Sequence, residues 1–273
     1  MKSEKYLGIR TGDLDGKPYA KYWNPQMGML QPQNQQGILL DMQASELGFT
    51  IEQANQLLEP GHLPLESGYT RLENGQLFIA THTYMPGVTG EMIDWWFGWH
   101  YMEDERYKIW HPSSHVGNGA AKMIGDDLNL SDRDKYIGNT HYSTEYLGDS
   151  KQKINIAYIE PSTYLDIARF EKAGVSTAPT ATISFRGTPL EFAKIIHLVR
   201  ATENGSEMRV RIWIGSPRLT FLSENNPINK IMGSKYINRS AIGAKMARQT
   251  HVSSAMEMNH LASFLPQLYA DYH

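Results

Sequence analysis

The chain has 273 residues, with 26 Lys and Arg against 29 Asp and Glu, and a formal net charge of −3. At ~150 residues per domain, this length allows one large domain or a core domain with an appendage. The charge balance gives no basic footprint, which argues against a general nucleic-acid binder. The chain has no cysteine, which excludes disulfides, iron–sulfur clusters and cysteine nucleophiles and leaves His, Asp and Glu as the metal ligands. No apolar run approaches the ~18 residues that span a bilayer, and no signal-peptide pattern begins the chain, so we expect a cytoplasmic protein.

The first 65 residues differ in texture from the rest. Residues 24–37 are rich in Gln, Pro and Met, and Phe49–Leu58 has a helical pattern that Gly61 and Pro64 interrupt. We predict that residues 1–65 form a helical or irregular N-terminal appendage, in contact with the main body or with a partner subunit. Residues 66–273 would form the main domain.

From residue 69 the pattern is mainly that of β-strands. Asn74-Gly75 lies between two strand-like segments and predicts a hairpin. Trp95, Trp96 and Trp99 follow Met92 at helical spacing and predict a short helix, with Thr89 before it as the cap. Strands are also predicted at 106–111, 139–147, 153–159 and 180–186. The Trp cluster fits a packed core, or a cavity for an aromatic ligand.

A second hairpin is predicted around Asn204-Gly205, which separates strand-like segments at 194–201 and 207–214. If these two residues form the turn, positions whose numbers sum to 409 face each other. This register predicts His197 opposite Ile212.

The last element is predicted to be a long helix over 240–265, ending at Pro266. One small and largely apolar face of it contains His251 and Ala255. Strands followed by one long C-terminal helix predict an α+β fold, in which a curved antiparallel sheet surrounds that helix and leaves a cavity between them.

Common catalytic signatures, such as the serine elbow G-x-S-x-G and the zinc motif H-E-x-x-H, do not occur in the chain. His111 and His115 bracket a predicted strand end, and His141 and Glu145 alternate on one face of the next strand. Each histidine could be a satisfied core residue. Together with His251, they also fit a His/Glu zinc site with an open position, the catalytic type.

Three segments bear a resemblance to the acylphloroglucinol hydrolase family. They are residues 94–100 (DWWFGWH), 106–115 (RYKIWHPSSH) and 261–269 (LASFLPQLY), together with the shorter run at 207–209 (EMR). The resemblance extends from about residue 80 to the end of the chain. It implies a helix-grip (Bet v 1-like) fold, a homodimer and a Zn²⁺ ion held by two His and two Glu.

Carried over by motif, the resemblance implies His115, Glu145 and His251 as zinc ligands. The second family Glu follows the helix His by four residues, where this chain has Ala255. Since i and i+4 share a helix face, whereas Glu257 at i+6 lies about 240° around, we expect that Glu257 does not replace it. Ala255 is therefore expected to inactivate the site.

The resemblance also implies Tyr107, Asn118 and His197 as catalytic and substrate-binding residues, with His197 located by the hairpin register, and it implies Ile212 as a substrate contact where the family has a Tyr. We expect Tyr107 and Asn118 to orient phenolic hydroxyls and His197 to transfer a proton. Each also has a structural explanation, as a core aromatic, a turn residue and a strand histidine.

The resemblance implies zinc-dependent hydrolysis of the aryl–acyl carbon–carbon bond of phloretin, giving phloroglucinol and 3-(4-hydroxyphenyl)propionate. One alternative is another acylphloroglucinol substrate, such as 2,4-diacetylphloroglucinol. A second is a non-catalytic module that binds aromatic ligands, and a third is a cofactor-free cyclase or isomerase.

Overall fold

The structure, a computed structural model, describes residues 8–223 and 225–273. The helices are α1 (Pro32–Leu39), α2 (Gly90–Trp99), α3 (Asp104–Trp110), α4 (Asp132–Tyr136), α5 (Phe170–Ala173), α6 (Pro227–Met232), α7 (Lys235–Ala241) and α8 (Ala244–Tyr272). The strands are β1 (Gly68–Arg71), β2 (Leu77–Pro86), β3 (His115–Gly117), β4 (Thr140–Leu147), β5 (Ser150–Ile159), β6 (Val175–Thr177), β7 (Thr180–Phe185), β8 (Leu190–Thr202) and β9 (Gly205–Leu219). Short 3₁₀ helices span Pro18–Tyr22, Ser45–Leu47, Ile51–Leu58, His100–Met102, Pro161–Thr163 and Ile167–Arg169.

The nine strands form one antiparallel sheet in the order β1-β2-β9-β8-β7-β5-β4-β3, with β6 paired to β8. The long helix α8 packs against this sheet, where the Thr81 and Ser254 hydroxyls lie 3.2 Å apart. A cavity remains between the helix and the sheet. The α+β helix-grip arrangement expected from the sequence is confirmed. No helix in the described part of the chain is long and apolar enough to cross a membrane.

The predicted Trp-rich helix is α2, and the Thr89 hydroxyl caps it by accepting a hydrogen bond from the Met92 amide. Trp95, Trp96 and Trp99 are buried in the main core between the sheet and α8. They pack on one another and do not line the cavity. The core explanation of the Trp cluster is therefore correct for these three residues.

A second core covers the outer face of the sheet, opposite α8. The 3₁₀ helix Ile51–Leu58 begins at the capping residue Thr50 and buries its apolar face on β2 and β9. Trp213 of β9 donates a hydrogen bond of 2.7 Å from its indole to the Phe49 carbonyl. The N-terminal segment therefore packs on the main body, while the boundary at residue 65 stays a prediction.

The region 106–111 is the helix α3, so the predicted strand is wrong. Asp104 and Glu105 lie in the first turn, where acidic side chains favour the positive end of the helix. Tyr107 and Trp110, three residues apart, are both buried on one face of it. The aromatic residues that suggested a strand therefore follow the helical period.

The β8–β9 hairpin is confirmed, but its turn is one residue earlier than predicted. Thr202 pairs with Gly205, so His197 faces Val210 and Ile212 faces Ile195. Gly205 belongs to the strand because its φ of +135° suits glycine, and because a Cβ there would meet the Met85 carbonyl oxygen at 2.5 Å. Since facing positions now sum to 407 rather than 409, His197 and Ile212 become diagonal neighbours on the same face.

Helix α8 begins at Ala244 and continues through Pro266, where the sequence predicted its end. A proline in a helix interior costs about 3 kcal/mol. The packing of the last turn offsets this cost, because Leu268 is fully buried and Tyr269 makes an edge contact with Trp95 at 5.4 Å between ring centroids.

Candidate functional site

A largely apolar cavity of about 380 Å³ lies between the sheet and α8. Its polar lining includes a cluster formed by Tyr107, His115, Glu145 and Glu257. These side chains come from α3, β3, β4 and α8 respectively, so four separate elements build the cluster. A polar cluster inside an apolar cavity is the usual form of a small-molecule site.

His115 is oriented by the backbone of α3. Its Nδ1 donates a hydrogen bond of 2.9 Å to the Tyr107 carbonyl, and its ring stacks on the Tyr107 ring at 3.6 Å. Since a carbonyl only accepts, the proton lies on Nδ1 and the Nε2 lone pair points into the cluster. Burial lowers the pKa of His115 to about 4, so the imidazole is neutral at pH 7.

Glu145 lies directly opposite His115 across the β3–β4 pair. One of its carboxylate oxygens accepts a hydrogen bond of 2.5 Å from the Tyr107 hydroxyl. Burial raises the pKa of Glu145, and the nearby charge of Glu257 adds to the rise. Burial and the Glu145 charge likewise hold the pKa of Tyr107 well above its usual value, so its hydroxyl remains a donor.

Glu257 of α8 completes the cluster. Its Oε1 lies 3.4 Å from His115 Nε2 and accepts a hydrogen bond of 3.2 Å from the Ser253 hydroxyl, one helical turn earlier. Burial raises the pKa of Glu257. Both Ser253 and Glu257 line the cavity.

The cluster suits a divalent cation. The unprotonated Nε2 of His115 and an oxygen of Glu257 face each other at 3.4 Å, an arrangement of two acceptors that a proton or a cation must join. Glu145 lies directly opposite His115 across the β3–β4 pair and adds a second carboxylate to the cluster. Imidazole nitrogen and carboxylate oxygens are ligands that zinc takes, and the hydrogen bond from Nδ1 is the usual support of a metal-bound histidine.

The structure does not bring His251 to this cluster. The Nε2 atom of His251 lies 3.2 Å from the Ser67 hydroxyl and 3.4 Å from Asn34 Oδ1, and its ring makes an edge contact with Tyr69. These contacts place the ring against β1 and the N-terminal segment. The expectation that His251 binds the metal of the cavity does not fit this position.

Ala255 is fully buried outside the cavity lining, so no carboxylate is missing from the site at that position. The helical arithmetic was correct, because six residues separate the directions of His251 and Glu257 by about 240°. However, the helix face that meets His115 is the face of Ser253 and Glu257, not the face of His251 and Ala255. The sequence does contain Ser253 and Glu257 at i and i+4, but a serine in the first position does not suggest a metal site.

His197 and Ile212 both line the cavity. His197 Nδ1 donates a 3.3 Å hydrogen bond to the Pro179 carbonyl, and burial lowers its pKa to about 4. Asn118 is joined to the cavity through Ser143, whose hydroxyl donates to Asn118 Oδ1 at 3.4 Å. The Asn118 Nδ2 atom is buried and has no hydrogen-bond partner among the described residues.

His141 is a cavity residue whose importance the sequence did not single out beyond its alternation with Glu145. It is 1% exposed, and neither ring nitrogen has a hydrogen-bond partner within the described ranges 8–223 and 225–273. Burial, reinforced by His100, holds its pKa well below the usual value. A buried neutral imidazole without partners in an apolar cavity is poised to bind a polar group of a ligand.

The described residues also contain a compact group of possible metal ligands outside the cavity. His62, His82 and Glu207 each offer one ligand atom, and these atoms all lie within 4.8 Å of one another. None of the three lines the cavity.

Comparison with known proteins identifies relatives over most of the chain. Residues 47–270 match the model of the DAPG hydrolase PhiG domain. The 2,4-diacetylphloroglucinol hydrolase of Pseudomonas protegens is 30% identical over 265 residues, covering 94% of this chain and 85% of its own. A Pseudomonas sp. protein of the same name is also 30% identical. Phloretin hydrolase of Eubacterium ramulus is 28% identical over 75% of this chain and 71% of its own.

Among solved structures, the crystal structure of Ara h 8.0201 aligns with 66% of this chain and 99% of its own at 14% identity. Its TM-score of 0.31 is too low to support an argument. The family match and the relatives that are 30% identical are sufficient without it. The chain belongs to the DAPG hydrolase family, whose named members act on acylphloroglucinols.

Proposed function

We propose that this protein hydrolyses the aryl–acyl carbon–carbon bond of an acylphloroglucinol. The pairing of Tyr107 with Glu145 and of His115 with Glu257 in a largely apolar cavity is the observation that supports this function most directly. The reaction consumes one water: the hydroxyl goes to the acyl carbonyl, and the ring carbon takes a proton as the bond breaks.

Phloretin is the proposed substrate, with phloroglucinol and 3-(4-hydroxyphenyl)propionate as products. Phe185 and Phe192 stack at 4.2 Å in the cavity wall, and Ile212 adds a further apolar surface. This wall suits an acyl chain that ends in an aromatic ring better than it suits an acetyl group, which would leave it uncovered. Hydrolysis of 2,4-diacetylphloroglucinol is the alternative that the first two relatives suggest by name.

The proposed metal is Zn²⁺, with His115 Nε2 and the carboxylates of Glu145 and Glu257 as its ligands. When bound, the ion supplies Lewis-acid polarisation of the acyl carbonyl. Ser253 stands one turn before Glu257, where its hydroxyl orients that carboxylate. The set therefore contains one imidazole, rather than the two that the family resemblance implies.

Tyr107 and Asn118 position the substrate in this proposal. The Tyr107 hydroxyl, a permanent donor beside Glu145, keeps that carboxylate directed into the cavity. The Asn118 Nδ2 group, which has no hydrogen-bond partner among the described residues, can reorient with Ser143 toward a phenolic hydroxyl. His141 presents two ring nitrogens without partners to another hydroxyl of the same ring.

His197 is the proposed proton-transfer group. Because Nδ1 donates to the Pro179 carbonyl, Nε2 has a free lone pair. With a pKa lowered to about 4 by burial, the imidazole is neutral at pH 7 and accepts a proton before returning it to the ring carbon. A neutral base in a closed apolar site acts without first losing a proton to solvent.

The function is tested by incubating zinc-loaded protein separately with phloretin and 2,4-diacetylphloroglucinol and measuring the products by chromatography. We expect phloroglucinol from phloretin, and ~10²-fold slower release from Tyr107→Phe. Tyr236→Phe is the matched control, because Tyr236 is 86% exposed. Binding of both compounds without any product would contradict hydrolysis and identify a non-catalytic binding module.

We also propose, from the family resemblance, that the protein is a homodimer. Light scattering on the purified full chain tests the assembly. A mass near twice 31.0 kDa is expected, and a mass near 31.0 kDa would contradict it.

A further inference from the structure

His62, His82 and Glu207 form a cluster on the outer face of the sheet, away from the cavity. His62 Nε2 and His82 Nε2 both donate to Glu207 Oε2, at 2.9 and 2.7 Å. The two imidazole rings lie 4.8 Å apart at an interplanar angle of 56°. Three ligand atoms therefore converge on one point, and two of them are nitrogens of the type that zinc and cobalt prefer.

The backbone of the sheet fixes two of the three side chains. His82 lies two residues before Tyr84 on β2, and Tyr84 pairs with Glu207 of β9, so His82 and Glu207 are diagonal neighbours on one face. Both are about 4% exposed or less. Their relative position is set by the strand register and does not depend on a flexible loop.

Arg200 of β8 organises the rest of the cluster. Its Nε donates a hydrogen bond to Oε1 of Glu207, which leaves Oε2 to accept from the two histidines. Its Nη1 donates a hydrogen bond of 2.9 Å to the Gly61 carbonyl. The arginine therefore holds the loop next to His62 against Glu207. Burial opposes ionisation of Glu207, but the hydrogen bonds from His82, His62 and Arg200 outweigh it and keep the pKa of that carboxyl below its usual range.

The cluster is open to solvent on one side. The His62 side chain is 43% exposed, whereas those of His82 and Glu207 are 5% and 4% exposed. A cation reaches the cluster past His62, and water can complete its coordination there.

We propose that His62, His82 and Glu207 form a second metal site, for a divalent transition-metal ion of the zinc class. The ion is bound by the two Nε2 atoms and by Glu207 Oε2, while Arg200 keeps Oε1. Because His62 belongs to the N-terminal segment and the other two ligands belong to the sheet, the ion joins that segment to the sheet. Its role is structural, and it does not depend on the chemistry proposed for the cavity.

The test counts Co²⁺ ions bound by the full-length protein, from its visible absorption and from calorimetry. His62→Ala is the informative variant, because His62 is half exposed in a loop and its loss leaves the sheet intact. His273→Ala is the matched control, since His273 is also half exposed, at 48%, and lies elsewhere. We expect His62→Ala to bind one Co²⁺ fewer than the wild type and His273→Ala to bind the same number.

A thiolate locates the ion directly. The chain has no cysteine, so a thiolate-to-cobalt charge-transfer band in His62→Cys can come only from residue 62. The band is expected in this variant and not in His273→Cys. An unchanged number of ions in His62→Ala, or no such band in His62→Cys, would overturn the proposal. Adding Glu257→Gln to His62→Cys alters the cavity cluster and is expected to leave this band unaffected, so the two sites are tested separately.

Discussion

Ser253 donates a hydrogen bond of 3.2 Å to Glu257 one turn later on α8, and Glu257 in turn lies 3.4 Å from His115. This pair defines the face of α8 that meets the cavity. His251, which the sequence suggests as a metal ligand, points away from the cluster and contacts Asn34 and Ser67. The helix therefore contributes one carboxylate and one hydroxyl to the site.

Adding an imidazole beside Glu257 is expected to strengthen metal binding. In Ser253→His, the new ring lies one turn before Glu257 on the same face, so it can share an ion with that carboxylate. We expect Zn²⁺ affinity to rise by at least ~10-fold, measured by competition with a chromophoric chelator. Lys245→His, which adds a histidine at an exposed position of the same helix, should leave the affinity unchanged. Equal affinities in both variants would contradict the position given to residue 253.

A glutamate at position 255 is expected to destabilise the protein rather than to activate it. Ala255 is fully buried and outside the cavity lining, so a carboxylate there is desolvated without a partner. We expect Ala255→Glu to lose about 3–5 kcal/mol of unfolding free energy, measured by urea denaturation. Ala270→Glu, at an exposed position of α8, should change it by ~0.5 kcal/mol or less. Higher zinc affinity in Ala255→Glu would support the first interpretation of the sequence instead.

The loop that leads into β1 is held to the sheet by a buried charge cluster. Glu66 bonds Arg209 Nη2 and Arg211 Nη2, both at 2.6 Å, and both arginine side chains are fully buried. Glu66→Gln leaves two buried guanidinium groups without a counter-charge and should cost about 3–5 kcal/mol of unfolding free energy. Glu59→Gln is the control, because its ion pair with Arg169 is exposed and should be worth less than ~1 kcal/mol. Similar losses in the two variants would contradict the role given to Glu66.

The buried state of His197 predicts a loss of stability in mild acid. Its pKa is about 4 in the folded protein, against ~6.5 for an unperturbed histidine, so between these values the unfolded chain binds more protons. This contribution is complete above pH ~6.5 and is lost as the pH falls toward 4. Between pH 7 and pH 5, His197→Gln should therefore lose ~2 kcal/mol less unfolding free energy than the wild type. His273→Gln, at a half-exposed position, should follow the wild type; a His197→Gln curve parallel to the wild type would show that His197 is not buried neutral.

Much of the fold follows from local patterns in the sequence. Asn74-Gly75 and the Asn204-Gly205 region specify two hairpins, and Thr89 with the following Trp spacing specifies α2. The strand–helix order also predicts the α+β arrangement around α8. These signals involve residues close together in the chain, so turn chemistry and periodicity determine them.

Two of the errors depend on contacts between distant segments. The β8–β9 register depends on Met85, whose carbonyl lies so close to Gly205 that the turn moves by one residue. The ligand face of α8 depends on how the helix is rotated against β3, and helical spacing alone gives only relative angles. His115 and Glu145 were identified from the family motifs, and the structure pairs them across β3 and β4, whereas Glu257 meets His115 only through tertiary packing.

The central claim is that Glu257 helps to bind the metal on which cleavage of the acylphloroglucinol depends. The most direct test measures zinc content and phloroglucinol release from phloretin in the wild type, in Glu257→Gln and in the control Glu171→Gln, which alters an exposed glutamate. We predict that Glu257→Gln stays folded, binds zinc at the cavity at least ~10-fold more weakly and releases little phloroglucinol, while Glu171→Gln matches the wild type. Wild-type zinc affinity together with wild-type product release in Glu257→Gln would contradict the account.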